Sequence, residues 1–318
     1  MSLLRLRLSM LGTLAAIIAI STLGIGMVLS MMGDLNVYTL IGVVIVFNVG
    51  QWLLAPYLIN AIYKARQMEP GENPRLYQAV VDLSARSGVK KPKLMYSSIA
   101  LPNAFAYGSP LTGSHVAVTQ GLLSALSMDE VEAVIGHELG HIKHRDVQAM
   151  MFLSLLPSIF YILARSTLFS RLYGGRDRRD SGATALIGGV SMLVYFMLLL
   201  FNMGFSRLRE YYADQHSAKV VEDGAMKLST GLAKITSSTA RAQSMGVGGP
   251  SASGFKALFI SDPDRAIQDA YELYEAGIGS DHNLVQSIMG RRVTALDRLG
   301  ELFSTHPNIV KRLRALNS

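Results

Sequence analysis

The sequence predicts a predominantly α-helical integral membrane protein in which transmembrane helical hairpins are joined to an α+β domain containing a small β-sheet. Three observations carry this. Half of the 318 residues are hydrophobic and only 17% are charged, against about 25% in ordinary soluble chains, and the mean hydropathy is +0.29. The missing charge is concentrated, since residues 8–33, 35–63 and 181–206 are uncharged runs of 26, 29 and 26 residues. As helices rising about 1.5 Å per residue, each can cross a hydrocarbon core of about 30 Å, which excludes a wholly soluble protein. The third observation is that the remaining segments carry ordinary polar composition, helix caps and strand-like alternation.

The elements follow in order. The first uncharged run exceeds the roughly 7–15 apolar residues of a signal-peptide core, so residues 8–62 read as an uncleaved hairpin within a unit spanning 1–63. Arg5 and Arg7 precede it, Lys64 and Arg66 follow it, and its tip carries only Asp34. Positive-inside bias therefore puts both ends in the cytoplasm. Asn48, Gln51 and Pro56 read as packing positions or a tolerated kink, or as a polar path toward the chemistry. Residues 64–147 form the first part of the polar domain. Asn73 caps a helix with Pro74 at its first position and Gly88 as its stop. A strand is expected at Lys93 to Ser97, and residues 104–108 and 115–119 read as a hairpin. Ser127 and Glu130 form a capping box opening a helix that runs to about His144.

A second apolar helical pair occupies 148–205, built from the runs 147–164 and 181–206. Residues 165–180 between them carry a net charge of +3, contrary to the bias, so the pair either spans fully or dips in from the cytoplasmic side. Both alternatives return the chain to its original compartment. Residues 206–318 then complete the polar domain, with a helix at 207–235, a Ser-, Ala- and Gly-rich mobile loop at 236–254, and helices at 263–276, 283–302 and 308–316.

The net charge of +7 does not indicate nucleic acid. Residues 64–147 hold nine positive and eight negative side chains and residues 207–318 hold fourteen and twelve. The excess flanks the apolar runs, which suits a lipid bilayer surface. With no cysteine in the chain, disulfides, thiolate metal sites and cysteine nucleophiles are excluded, and any metal must be held by His and carboxylates.

The chemistry concentrates in VEAVIGHELGHIKHRD, residues 131–146. His137 and His141 are four apart, which places their imidazoles about 40° apart on one helix face, able to converge on one metal ion. Glu138 then lies beside the position of an activated water and can act as general base. The polar domain is on this reading catalytic and zincin-like. A catalytic zinc needs a third protein ligand. SRLREYYADQHSAKV, residues 206–220, offers Glu210 and Asp214 on one helix face, of which one could bind metal while the other holds a histidine N–H. Spacing alone does not choose between them. His115 and His216 have no motif around them, His144 reads as a surface histidine, and Arg209 either pairs with an acid or lies on a helix surface.

These strings, together with LPNAFAYG, ALFISDP and THPNIVKRL, make the sequence resemble the HtpX-type membrane zinc metallopeptidases, within the larger family that includes the CaaX prenyl-protein proteases. The likeness covers most of the chain and is weakest over 264–300. It implies one Zn²⁺ per chain held by His137, His141 and Glu210, with Glu138 as general base and Asp214 orienting a ligand histidine. It implies further that His306 and Arg312 reach the site to stabilise the oxyanion or orient neighbouring groups, and that Asn103, Ala104 and Phe105 lie along the substrate cleft. The expected activity is hydrolysis of peptide bonds in misfolded or damaged membrane proteins, as part of a stress response, by a multi-pass cell-membrane protein whose catalytic domain faces the cytoplasm. The alternative is a site-specific processing peptidase of the CaaX-protease type. The expected partners are the lipid bilayer and unfolded or membrane polypeptides, and no nucleic acid.

Overall fold

The computed structural model describes residues 37–173, 181–244, 260 and 281–318. The first arm of the expected N-terminal hairpin with its tip, the connection at 174–180, and the expected helix at 263–276 lie outside the described residues. The second arm is helix α1, Val37–Ile62, with Pro56 inside it. A short strand β1, Arg66–Gln67, leads to α2, Pro74–Ser87. Its ends are those the sequence predicts: the Asn73 side chain accepts from Leu76 N–H, Pro74 occupies the first turn, and Gly88 closes the helix at φ +67°, a left-handed conformation that glycine adopts without a Cβ penalty.

The sheet comprises β1, β2 (Lys93–Ser97), β3 (Ala104–Ser109) and β4 (Gly113–Thr119), in the order β1-β2-β4-β3. The β3–β4 hairpin is antiparallel, and β4 also runs parallel to β2, with Lys93 opposite His115 and Ser97 opposite Thr119. The parallel pairing was not predicted, because nothing local in the sequence specifies it. It leaves β3 as an outer strand. Thr119 ends β4 and caps the short α3, Gln120–Ala125, by accepting from Leu122 N–H. Ser127 and Glu130 form the expected capping box at the start of α4, Met128–Lys143. Arg145, at φ +56°, then turns the chain into α5, Asp146–Tyr173.

Three expectations are corrected. The apolar run 181–206 and the polar segment after it are one helix, α6, Ser181–Val220. The composition changes at Arg207, but no glycine or proline follows Gly204 within the helix to break its hydrogen bonds. Asp223, at φ +52°, and Gly224 make the real boundary, before α7, Gly224–Ser244. Residues 236–244 are therefore helical rather than part of a loop, and only 245–254 of that segment lie outside the described residues. Burial decides this: Thr236, Thr239 and Ala240 are packed inside, and the Thr236 hydroxyl donates to Leu232 O. The helix expected at 283–302 is two helices, α8 (Asp281–Gly290) and α9 (Ala295–Leu302), because Thr294 and Asp297 form a second capping box. The chain closes with α10, Ile309–Leu316, capped by Asn308.

Among the described residues, one stretch, Ala185–Val220, is long and apolar enough to cross a membrane by length and composition, while Trp52–Ile62 and Asp146–Tyr161 are shorter apolar helices. A principal core joins α2, the sheet, α4, α7, α8 and α10 through residues such as Leu76, Val116, Ile135, Leu139, Leu232, Val285 and Leu313. A second packs α5 on α6 through Leu153, Phe160, Leu163, Val194 and Leu198. A third seats Ile59 of α1, and Tyr63 just beyond it, on Met95 and Phe105 of the sheet.

The contact that positions the chemistry is α4 against α6. Gly136 and Gly140, four apart on α4, face Ser217 and Ala213 of α6. A Cβ on Gly140 would lie 3.0 Å from Ala213 Cα, and one on Gly136 would lie 2.9 Å from a Val221 methyl. Small residues on both helices thus let the two backbones approach closely. Gly140→Val should cost at least about 1–3 kcal/mol of overpacking, read as a lowered thermal midpoint with weakened metal retention. Gly231→Ala, whose Cβ would meet only contacts at 3.7 Å, should instead raise stability by about 0.5–1 kcal/mol.

Candidate active site

The two imidazoles of α4 meet as the helical period requires. His137 Nε2 and His141 Nε2 are 3.1 Å apart, with the rings edge-on at 88°. Glu210 of α6 faces them, Oε2 at 3.6 Å from His137 Nε2 and Oε1 at 3.4 Å from His141 Nε2. One ligand atom from each of the three residues lies within 4.8 Å of the others. The opposite ring nitrogens are taken up. His137 Nδ1 lies 2.9 Å from Asp214 Oδ1, and His141 Nδ1 lies 2.6 Å from Asp146 Oδ2. Each carboxylate accepts an Nδ1–H, which leaves both Nε2 lone pairs pointing at the same point.

This donor set fits a small divalent cation. Among the described residues the buried Glu210 Oε2 has no hydrogen-bond partner, and the two Nε2 atoms, 3.1 Å apart, need either a shared proton or a metal cation between them. Two nitrogens and a carboxylate, with no sulfur, form a typical zinc donor set. His137, His141 and Glu210 are the residues that would hold zinc.

The remaining expected residues fall around this point. Glu138 is buried and lines a cleft of about 300 Å³ together with His137, His141, Glu210 and His306. Ala104 and Phe105 also line it, continuing through Ala106, Tyr107 and Gly108 of β3. Asn103 does not. Its side chain is buried, and its Oδ1 accepts from the N–H of Ile260, which does line the cleft. Arg312, 2% exposed, donates from Nε and Nη2 to both oxygens of Asp214 at 2.7 Å each. Its Nη1 donates to Ile260 O at 2.7 Å, and its Nη2 lies 3.3 Å from Glu210 Oε2.

The residue that the sequence reading left without a role is Asp146. Two ligand histidines call for two orienting acids, and Asp146 stands five residues past His141. That period is not helical, and only the left-handed turn at Arg145 brings the carboxylate back to the ring. Trp52, Ala55 and Ile59 of α1 and Arg209 of α6 also wall the cleft. Among the described residues Arg209 pairs with no carboxylate; it donates to Asp146 O and Ser206 Oγ. Of the histidines without motif support, His216 is buried on Ser87 and His115 is stacked on Tyr107. His144 is half-buried, its ring edge-on to Tyr212.

Burial dominates the electrostatics. It pushes the Glu138 carboxyl up, opposed by the neighbouring histidines and by a backbone hydrogen bond from Ala106. For His141, burial disfavours the charged ring, but hydrogen bonds to Asp146 and Glu210 and their negative charges outweigh it and push the group up to about 10. His137 is raised too, burial being overcome by Asp214 and Glu210.

Two histidines of an HExxH helix and a glutamate from α6, grouped so that they could hold one metal ion, with a further carboxylate beside them and a cleft lined by all four, are the arrangement of a metalloprotease. The chain belongs to peptidase family M48, whose sequence profile matches residues 70–318. It is 33% identical to the "Protease HtpX homolog" of Thermoplasma acidophilum, over 99% of this chain and 98% of that one. The "Protease HtpX homolog" of Aeropyrum pernix is 39% identical over 84% of this chain and 81% of its own. Among solved structures, that of S. mikatae Ste24p superposes with a TM-score of 0.52 at 18% identity, covering 99% of this chain and 67% of that one. At that identity the likeness is one of fold.

Two outcomes are expected at this site. Asp146→Asn should keep the fold but weaken zinc binding by about 10–100-fold, measured by competition with a chromogenic chelator. Because the folded pKa of His141 is raised above 6.5, the imidazolium stabilises the metal-free protein fully below that value, and this contribution is lost as pH rises through about 10. Zinc needs the neutral ring, so apparent zinc affinity should climb with pH between 6 and 9, by roughly tenfold per unit for each proton displaced.

Proposed function

We propose that this metalloprotease is a zinc endopeptidase of the cell membrane, spanning the bilayer more than once with its catalytic domain toward the cytoplasm, and that it hydrolyses misfolded or damaged membrane proteins. The observation that carries the reading is Glu138: a buried carboxyl next to two metal-ligand histidines that takes no part in the ligand triad and opens onto the cleft. When bound, zinc supplies Lewis acidity that polarises the scissile carbonyl and makes a water molecule acidic enough to react near neutral pH. Glu138 takes the proton from the attacking water and delivers it to the leaving amine. Its raised pKa suits both halves of that transfer. His306, on the cleft wall, donates to the oxyanion that develops on the carbonyl. Asp214 and Asp146 hold the two histidines in the tautomer that presents Nε2, and Arg312 holds Asp214.

The substrate lies along β3. As an outer strand whose residues 104–108 line the cleft, it can pair with an extended polypeptide through main-chain hydrogen bonds, which are indifferent to side chains. That favours unfolded segments over one defined sequence. The uncharged runs at 8–33, 35–63 and 181–206, and the basic residues flanking them, support the membrane placement and orientation.

The test is Glu138→Gln on full-length protein in detergent. Zinc content should stay at one per chain while cleavage of an unfolded membrane protein falls by about 10²–10⁴. Mass spectrometry of the wild-type products should show scattered cuts. Undiminished cleavage by the variant would move the chemistry elsewhere, and a single cut position across many substrates would favour the processing reading.

A further inference from the structure

Helix α9 turns an apolar side outward. Leu296, Leu299, Leu302 and Phe303 are 75%, 57%, 46% and 69% exposed, and steps of three and four residues put them along one side. The helix is not a frayed end, since the Thr294–Asp297 capping box closes its first turn. Large apolar side chains held in water by a capped helix mark a surface that something covers.

The polar groups of the helix say what. Arg292 and Arg298 are exposed, whereas both carboxylates are used within the protein: Asp297 in the cap, and Glu301 buried against Lys311 and Asn308 N–H. The surface is thus apolar with a positive margin. Its place in the fold is set by Arg207, the first charged residue after the uncharged run 181–206. The Arg207 guanidinium donates to Glu301 O at 2.6 Å and to Ser304 O at 2.7 Å, across the C-terminal end of α9. Cationic donors suit the negative end of a helix, and this one ties α9 to the level at which the apolar part of α6 ends. On α6 itself Leu186, Leu193 and Phe196 are exposed.

We propose that α9 is an interfacial helix that lies on the cytoplasmic leaflet, with Leu296, Leu299, Leu302 and Phe303 in the boundary between headgroups and acyl chains and with Arg292 and Arg298 on anionic lipid phosphates. This rests on the reading that residues 181–206 enter the bilayer. A lipid surface supplies both an apolar layer and anionic groups. The uncharged residues 8–33 offer no acid to meet the two arginines, and a second copy of α9 would oppose arginine to arginine. The same carbonyls lead directly to Thr305 and His306 of the cleft wall, so lipid contact at α9 fixes that wall relative to the membrane.

The absence of cysteine allows a clean test. Single cysteine replacements at each position from 295 to 303, and Leu193→Cys as a reference for the span, are labelled with bimane in the full-length protein. The protein is reconstituted in vesicles of phosphatidylethanolamine and phosphatidylglycerol, with and without brominated acyl chains. The expected result is loss of fluorescence to brominated lipid that peaks at 296, 299, 302 and 303 and is smallest at 297 and 301, a helical period that misfolding does not produce. The Arg292→Gln, Arg298→Gln double variant should lose part of that quenching in mixed vesicles and none in vesicles of phosphatidylethanolamine alone. Quenching at 193 with none along 295–303 overturns the proposal and leaves the span intact. No quenching at either place overturns both. Protection of 299 and 303 from aqueous iodide without lipid quenching means that protein covers the face, and the lipid assignment is then wrong.

Discussion

Charge balance in a buried volume is the constraint on which this structure depends. Glu138, Asp146, Glu210 and Asp214 are all less than 5% exposed and crowd around two imidazoles. A buried ion without a counter-charge costs several kcal/mol, so four carboxylates in one pocket are tolerable only with cations among them. Arg312 is one, reaching Asp214 with two hydrogen bonds and lying beside Glu210. The His141 imidazolium, its pKa pushed up to about 10, is another, and a divalent ion on the same donor set would take its place. The C-terminal helix α10 is therefore not a peripheral addition, since without its arginine the buried Asp214 would keep only the His137 N–H. The same guanidinium holds Ile260 O while Asn103 holds Ile260 N–H. One ionic cluster thereby gathers α4, α6, α10 and the approach to the sheet.

Geometry is supplied by helices that are close and continuous. Gly136 and Gly140 let α4 and α6 approach until side chains as short as Asp and Glu reach the histidines. Because α6 runs unbroken from the uncharged run into the segment bearing Glu210 and Asp214, the metal-ligand position and the apolar helix form one rigid rod. The cleft draws its walls from apolar and polar parts of the chain alike, among them Trp52, Ala55 and Ile59 of α1 and the strand β3. This arrangement makes physical sense of a protease built around its own apolar helices rather than tethered by them.

Much of this was legible in the sequence, and the reason is locality. His137, Glu138 and His141 lie within five residues on one helix, where spacing determines direction, and the caps at Asn73 and Ser127 are each read from a few neighbouring side chains. The misreadings were also local in origin. A change in composition at Arg207 suggested a boundary that the backbone does not have. The Ser- and Thr-rich start of the 236–254 segment suggested a loop, but its small side chains are buried and its hydroxyls bond back to the preceding turn. The capping box at Thr294 was available in the sequence and would have split the 283–302 helix.

By itself, then, the sequence determined α2 and α4 with their caps, the apolar runs and the pair of histidines with a glutamate between them, because each depends on residues a turn or two apart. Glu210 and Asp214 lie on the same face of one helix, and no spacing rule separates them. Only packing against α4 places the longer side chain at the Nε2 atoms and the shorter one at Nδ1. The turn at Arg145 that returns Asp146 to His141, the parallel pairing of β2 with β4 that leaves β3 at the edge, and the reach of Arg312 across 98 residues of chain to Asp214 were likewise decided by the tertiary structure. Contacts between residues far apart in the chain are chosen by the shape and charge of the whole fold, which no short stretch of sequence contains.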